Sequence, residues 1–403
     1  MTDRTGRAGE PIIELDIDPF STQVLSDPAS IYPAMFSAGS VFKLTAYGVY
    51  GVARHHAVTE VLRDWENFSS ARGVGLSDYA RDPAWHPPSP LLERDPPEHT
   101  RTRKIANRVL SIASLKSIRP DWALAADALI QALVAKGEFD GVTELAEIFP
   151  QRVFADALGL REAGRQNLVP YAMASFNAMG PKNEIFESTE PVRLSHAPWV
   201  MESCQRENVA PGSWGAALFE ASDRGECSEA EAGGLMRSLL TAGFDTTING
   251  IANTLDILAD RPDVWKALQA DRKLVPRAFE EALRLSSPVQ LFFRTTPRDV
   301  AIDGCLIPAD SKVLLFFGAA NRDPKRWEDP DSFDLHRQTG GHLAFGYGVH
   351  HCGGQMTARQ EVELILNALL DRAASLQRTG PTVRRLNNTL HAIASLPLAA
   401  RPA

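Results

Sequence analysis

Apolar and polar residues first alternate at strand spacing over Val41 to Val52, between turn-prone residues. The proline-rich stretch Pro83 to Pro97 predicts an ordered loop with little helix, because proline fixes φ and removes a backbone donor. Beyond Pro97 helical periodicity takes over. Asp121 to Ala135 is an amphipathic segment stopped by Gly137, and Gln355 to Leu370 is a second helix-like run. The longest periodic segment extends from Ser228 to Asp260; Ser228 and Glu231 have the spacing of a capping box, and Pro262 marks the end. At 1.5 Å per residue a single helix over that span would be about 45–50 Å long, enough to cross the molecule. Short strand-like pieces return at Val289 to Thr296, Val300 to Ile307 and Lys312 to Phe317. The pattern predicts a mainly α fold with small β-sheets around one core.

Composition narrows this picture. The chain has 403 residues, 44% of them hydrophobic, with no low-complexity tract, fixed-period repeat or linker to divide it. A single domain over residues 1–403 is therefore expected, with about the first 12 residues flexible. The net charge of −8 argues against general nucleic-acid binding, which needs a basic face. Four cysteines (Cys204, Cys227, Cys305, Cys352) show no C-x-x-C spacing, so neither a disulfide framework nor a zinc site is indicated. Met1 to Glu10 lacks an apolar signal core, and nowhere do about 18 apolar residues run uninterrupted. The expectation is a soluble, cytoplasmic, monomeric protein with neither membrane nor nucleic acid as partner.

Two segments carry chemistry. Within the long helical segment, Ala242-Gly243-Phe244-Asp245-Thr246-Thr247 gathers residues that a helix interior disfavours, each for a different reason. Gly243 lets the backbone open, and a hydroxyl or water can enter the hydrogen-bond ladder. Standing alone, this would be a local irregularity without chemistry. The second segment, Phe345-Gly346-Tyr347-Gly348-Val349-His350-His351-Cys352-Gly353-Gly354, surrounds one cysteine with glycines and leads straight into a helix. A thiolate there gains backbone N–H donors and a helix N-terminus, and the glycines allow close approach to a flat macrocycle. Gly346-x-Gly348 lacks the third glycine of a dinucleotide loop, since position 351 is His351.

The pattern Phe-x-x-Gly-x-His-x-Cys-x-Gly, continued by Ala358-Arg359-Gln360-Glu361, resembles the haem-binding signature of bacterial cytochromes P450. That resemblance implies the P450 fold, with haem b (iron protoporphyrin IX) held between a long central helix and the loop that supplies Cys352 as axial thiolate to the iron. Gly353 stands where the family usually carries an aliphatic residue, which alters packing against the porphyrin and leaves ligation intact. Ala242 to Thr247 resembles the family's acid–alcohol pair. Asp245 then relays protons and Thr246 hydrogen-bonds the activated dioxygen. Glu281-Ala282-Leu283-Arg284 resembles the family's Glu-x-x-Arg brace, whose role is structural; Ser332 replaces a frequent arginine downstream, leaving His336 or Arg337 to complete it. His99 and Arg103, spaced i,i+4, and Arg294 and His350 match positions that contact haem propionates, and Phe345 opens the cysteine loop.

The substrate end rests on a narrower resemblance. Gly48 to Arg54, Ser70 to Asp78, Phe176 to Pro181, Ser287 to Arg294 and Asn387 to Leu390 are similar to segments of the bacterial para-methoxybenzoate demethylases. Carried over by position, Arg237, Ser238 and Ser89 belong to a carboxylate-binding end. Leu92, Phe176, Thr241, Val289, Phe292 and Leu390 line the ring and the approach to iron. Ser238, Thr241 and Asp245 share one helix face, and Ser238 lies about 10 Å along the axis from Asp245. Two positions depart from the pattern. His86 stands where those enzymes place an arginine, so its protonation decides the strength of the anion site. Met179 replaces a phenylalanine and makes the wall more adaptable.

The implied function is oxidation of a para-substituted benzoate, with O-demethylation of 4-methoxybenzoate to 4-hydroxybenzoate and formaldehyde as the favoured reaction. Dioxygen, a small aromatic carboxylate, and an iron–sulfur ferredoxin with its reductase are the implied partners, the ferredoxin docking near Arg101, Lys104 and Arg108. A P450 acting on a neutral phenol, a cinnamate-like acid or a terpenoid, a peroxide-driven enzyme and a non-enzymatic haem binder remain as alternatives.

Overall fold

The computed structural model describes residues 11–403, so Met1 to Glu10, most of the segment expected to be flexible, lie outside the described residues. Helices dominate, as the periodicity predicts, and four small sheets lie among them. The alternating stretch from Val41 is a hairpin, Phe42–Leu44 paired antiparallel with Val49–Val52. It belongs to a five-stranded sheet in the spatial order Ile13–Leu15, Phe42–Leu44, Val49–Val52, Lys312–Phe316, Leu291–Thr295. Its register puts Phe42 opposite Gly51, where a Cβ would lie 2.1 Å from the Phe42 ring, so only glycine fits. Val300–Ile302 and Cys305–Ile307 form a separate hairpin. Pro83 to Pro97 is loop throughout.

Two helices differ from the sequence expectation. The amphipathic segment at Asp121 begins nine residues earlier, as Ile112–Lys136, with Ser111 accepting from the Ser114 N–H and Pro120 inside the helix. The ring of Pro120 is tolerated because this helix packs along Gln355–Arg372, tied by Arg119–Glu363 at 2.7 Å and Arg372–Asp127 at 2.6 Å.

The second difference matters more. Ser228 to Asp260 starts with the predicted capping box, but it is not one helix. Glu229–Gly243 and Asp245–Ala259 are separated at Phe244, whose φ of −96° and ψ of −70° interrupt the ladder. The Thr246 hydroxyl donates to the Ala242 carbonyl at 2.6 Å, taking the place of a ladder bond. Gly243 is required by packing as well as by backbone freedom, because a Cβ there would stand 2.4 Å from the Phe154 ring. Phe154 in turn meets Phe244 edge-to-face at 5.4 Å, fixing the break against the core.

The main core is helical, and two smaller apolar clusters cover the faces of the five-stranded sheet. At its base lies a fully buried ionic cluster on the helix Val275–Ser286. Arg284 meets Glu281 through two hydrogen bonds of 2.7 and 2.8 Å, both side chains being 0% exposed. Its remaining donors reach the carbonyls of Asn321, Pro330 and Ser332. Arg337, not His336, is the third member: its Nε donates to Glu281 Oε1 at 2.9 Å, while His336 is exposed. Glu361 on the Gln355–Arg372 helix is the opposite case, 1% exposed with neither carboxyl oxygen partnered, and burial pushes its pKa well above the usual 4.5.

These buried groups give two tests. Arg284→Ala leaves Glu281 buried beside only one arginine and costs about 3–5 kcal/mol in denaturant unfolding. Arg337→Ala, at the rim of the cluster, costs about 1.5–3 kcal/mol. For Glu361 the folded state holds a proton that the unfolded chain releases. Its contribution is complete below the ordinary carboxyl pKa and is lost as pH rises through the higher folded value. Glu361→Gln is therefore as stable as the parent near pH 4 and gains up to about 1.4 kcal/mol per pH unit above it. A pH-independent difference would count against an isolated carboxyl.

Candidate functional site

One cavity separates the two half-helices from the 345–354 loop and the Gln355–Arg372 helix, and Cys352 lines it. The loop is closed by the Cys352 N–H on the Phe345 carbonyl at 2.8 Å and by the His351 N–H on Gly348 at 3.1 Å. Gly348 has φ of +71°, and a Cβ there would be 2.2 Å from the Leu62 carbonyl oxygen. Burial pushes the Cys352 thiol up, while the N–H groups of Gly354 and Gln355 and the charges of Arg103 and Arg359 pull it down. The sulfur thus has donors ready for its anionic form at the start of a helix. Arg359 lies over the Phe345 ring at 4.6 Å and pairs with Glu280, which fixes the loop to the brace helix.

Around this thiol the sequence-predicted cations converge, with too few anions to match them. Arg294 is 4% exposed, donates to the Phe293 carbonyl, and burial pushes its pKa down to about 10. Arg103 donates to the His351 carbonyl and to Asn107. His99 is 2% exposed with Nε2 unpartnered; burial, then the His350 and Arg103 charges, push it down to about 4. Its ring lies 4.3 Å from that of His350. Asp95 is the nearby anion; His350 at 3.9 Å and hydrogen bonds from Ser69 and Ser70 overcome burial to bring it to about 2. A flat macrocycle bearing carboxylates fits this donor set: a thiolate for a metal, and buried cations wanting counter-charges.

On the opposite wall Thr246 lines the cavity with Ala242 and Gly243. Asp245 does not. It is 0% exposed behind the helix, where Oδ1 accepts from Arg385 at 2.5 Å and from Asn249 at 3.0 Å, and Oδ2 has no partner. Burial raises its pKa against the lowering charge and hydrogen bond of Arg385. Arg385 escaped the sequence reading because it lies 140 residues away in a hairpin whose sequence shows no motif.

Farther from Cys352 the cavity becomes polar, lined by Arg237, Ser238, Ser89 and His86, with Thr241, Leu92, Phe176, Met179, Val289 and Phe292 between. Leu390 is behind this wall rather than in it, packed with Val74, Phe176, Met179 and Ala392. Ser238 Oγ donates to the Gly234 carbonyl and lies 2.8 Å from Ser89 Oγ. Arg237 is 6% exposed, donates to the Pro87 carbonyl, and has no carboxylate within ion-pair distance among the described residues. Tyr79 and Glu93 also belong to this end, and no sequence pattern marks either. Arg101 and Arg108 are tied to Glu231 and Glu226, which leaves the exposed Lys104 as the member of that basic trio without an ion pair among the described residues.

No helix among the described residues is long and apolar enough to cross a membrane. The cytochrome P450 family model matches residues 215–374. Cytochrome p450 CYP199A2 of Rhodopseudomonas palustris is 49% identical over 98% of this chain and 96% of its own. Beta-dihydromenaquinone-9 omega-hydroxylase of Mycobacterium tuberculosis is 32% identical over 99% of this chain and 81% of its own. Among solved structures, cytochrome P450 CREJ in complex with (4-ethylphenyl) dihydrogen phosphate superposes with a TM-score of 0.86 at 26% identity, covering 95% of this chain and 99% of that one. CYP109Q5 from Chondromyces apiculatus gives 0.81 at 31% identity, covering 96% and 99%. The thiol in its glycine loop, the buried cations around it and the broken helix opposite thus lie in a chain that belongs to the cytochrome P450 family, monooxygenases that bind haem b through a cysteine thiolate.

Proposed function

We propose that this P450 oxidises the para substituent of a small aromatic carboxylate, with O-demethylation of 4-methoxybenzoate to 4-hydroxybenzoate and formaldehyde as its reaction. The observation that carries this reading is Arg237. It is a guanidinium 6% exposed, lining the cavity and lacking an acidic partner among the described residues. A charge so placed is costly unless an anion answers it, and a ligand carboxylate can. Ser89 and Ser238 stand beside it with hydroxyls able to turn toward that carboxylate. CREJ, whose structure holds a para-alkylphenyl phosphate, accepts a ligand of the same build, an anionic group across a ring from an alkyl group. The resemblance to para-methoxybenzoate demethylases points the same way.

In this reading Cys352 ligates the iron, and Arg103, Arg294, His99 and His350 hold the propionates. Bound there, haem supplies the one-electron and dioxygen chemistry. The chain's own residues do the rest. Arg237, Ser238 and Ser89 hold the carboxylate, and Phe176, Val289, Phe292 and Leu92 keep the ring in line, so the alkyl carbon reaches the reaction centre by positioning. Thr246 can turn its hydroxyl from the Ala242 carbonyl into the cavity. Asp245 can pass a proton to it only by swinging from Arg385, and its free Oδ2 is the atom that would carry the proton. Hydroxylation of the methyl carbon gives a hemiacetal that collapses to the phenol and formaldehyde. Two electrons come from an iron–sulfur ferredoxin and its reductase, docked on the face that carries Lys104.

Arg237→Ala weakens 4-methoxybenzoate binding by about 30-fold or more, while binding of its methyl ester changes by less than about twofold. Titration of the ferric haem spectrum with both ligands measures this, and unchanged acid affinity sinks the substrate assignment. Thr246→Ala keeps substrate binding but lowers product per dioxygen consumed by about 10-fold or more. Dioxygen uptake and formaldehyde counted in the same reaction check it; full coupling in that variant would remove Thr246 from proton delivery.

A further inference from the structure

The polar end of the cavity contains a carboxylate where an anion is to bind. Glu93 lines the cavity at 2% exposure. Its Oε1 accepts from the Tyr79 hydroxyl at 2.7 Å and its Oε2 from the Ser89 N–H at 2.8 Å. His86 Nε2 lies 3.5 Å from Glu93 Oε2 and 3.2 Å from the Tyr79 hydroxyl oxygen. The other ring nitrogen, Nδ1, lies 2.7 Å from the Pro87 carbonyl. A carbonyl only accepts, so Nδ1 carries hydrogen. The Tyr79 proton is already committed to Glu93, so Nε2 also faces two acceptors. A ring with hydrogen on both nitrogens satisfies all of these contacts and pairs with Glu93.

The same Pro87 carbonyl accepts from Arg237, which joins the pair to the anion anchor. With His86 charged, Glu93 is cancelled and Arg237 is the cation left for a ligand. With His86 neutral, Glu93 is an uncompensated anion lining the same cavity end, and a second carboxylate nearby is repelled.

We propose that His86 and Glu93 are a specificity-determining pair, which admits a carboxylate substrate while His86 carries both protons and turns against it, but not against its neutral ester, when one is lost. This rests on the reading of Arg237 as the carboxylate anchor. Other charged or titratable groups face the pair from every side. Tyr79 adjoins it on its loop, and Tyr171 approaches from the helix Leu168–Asn177. Arg193 of the helix Glu184–Ser203 lies over the Trp85 ring at 4.9 Å, and that ring is 3.9 Å from His86. Lys312 acts from its strand, where burial pushes its pKa down to about 8. The two phenols are pushed up by burial, which leaves Lys312 as the group that the variants must separate from His86.

The test is a haem-spectrum titration of the holoenzyme with 4-methoxybenzoate and its methyl ester from about pH 6 to about pH 9, across which the acid stays ionised. The Kd of the acid rises about 10-fold or more over that range and that of the ester less than about twofold. His86→Arg, which fixes the charge, holds the acid Kd within about twofold. Glu93→Gln removes the anion and tightens acid binding several-fold at the high-pH end, although the slope from His86 remains. A flat acid profile in the parent overturns the proposal, and so does a slope that survives in His86→Arg, which would assign it to Lys312. If His86→Arg fails to load haem, the high-pH tightening in Glu93→Gln decides. Arg237→Ala separates the two readings. If it abolishes acid binding while the slope survives in His86→Arg, the pair is wrong and the anchor stands. If it leaves acid binding intact, the anchor itself fails.

Discussion

Arg284 and Glu281 give up all contact with water, and the base of the molecule is organised around answering that loss. Each of the guanidinium's directions is met, by the Glu281 carboxylate and by the carbonyls of Asn321, Pro330 and Ser332, with Arg337 closing the far side. The loop that leads into the cysteine segment is thereby tied to the helix Val275–Ser286 before any cofactor is considered. The neighbouring Glu280 extends the attachment to Arg359 and so to Phe345. Satisfied buried charge of this kind is weak evidence for stability but strong for a fixed arrangement, because a partial arrangement leaves a charge unpaired.

The same constraint, left unsatisfied, marks the functional cavity. Arg294 and Arg237 are nearly as dry as the brace, yet lack acidic groups to match, and His99 keeps Nε2 unpartnered. The broken helix between them follows from local packing. Gly243 admits the Phe154 ring, Phe244 turns into the core, and the Thr246 hydroxyl takes up the Ala242 carbonyl. One consequence is that Asp245 and Thr246, adjacent in sequence, face opposite sides of the helix. The acid is held away from the cavity by Arg385, and moving it requires exchange of a buried ion pair. On the proposed role of Asp245, proton delivery would be coupled to the hairpin of Val383–Arg385 and Ala392–Ser395, which no motif would include.

Much of this was legible in the sequence because it depends on local pattern. Helical periodicity, the Ser228–Glu231 capping box and the glycine loop around Cys352 each act within a few residues, and each appears in the structure. The break at Phe244 was half visible: the sequence showed residues that strain a helix, but the interruption itself depends on Phe154, about ninety positions away. Arg337 could not be chosen over His336, because the choice is made by which side chain reaches Glu281 across a loop. Arg385, Glu93 and Tyr79 were missed altogether. Each is a single polar residue whose meaning lies in a distant or loop-borne partner, and a single sequence carries no signal for such pairs.

The distribution of charge in the cavity also orders its contents. Near Cys352 the polar donors come from three separate elements: Arg103 and His99 on one helix, Arg294 on a strand, His350 in the cysteine loop. At the far end one guanidinium, Arg237, is set among hydroxyls, and Glu93 with His86 adds a pair whose charges cancel when both are ionised. Between them the wall is apolar. A macrocycle with two carboxylates is matched by the first group and mismatched to the second. A small ligand with one carboxylate then has a single place for its charge, and its apolar end must face the thiol side. On the proposed reading, orientation of a carboxylate substrate follows from where desolvated charge is left unanswered. This is a stricter requirement than shape, because a rotated ligand would bury its own anion against Phe176 or Phe292 while leaving Arg237 unpaired, and each of those errors is costly in a dry site.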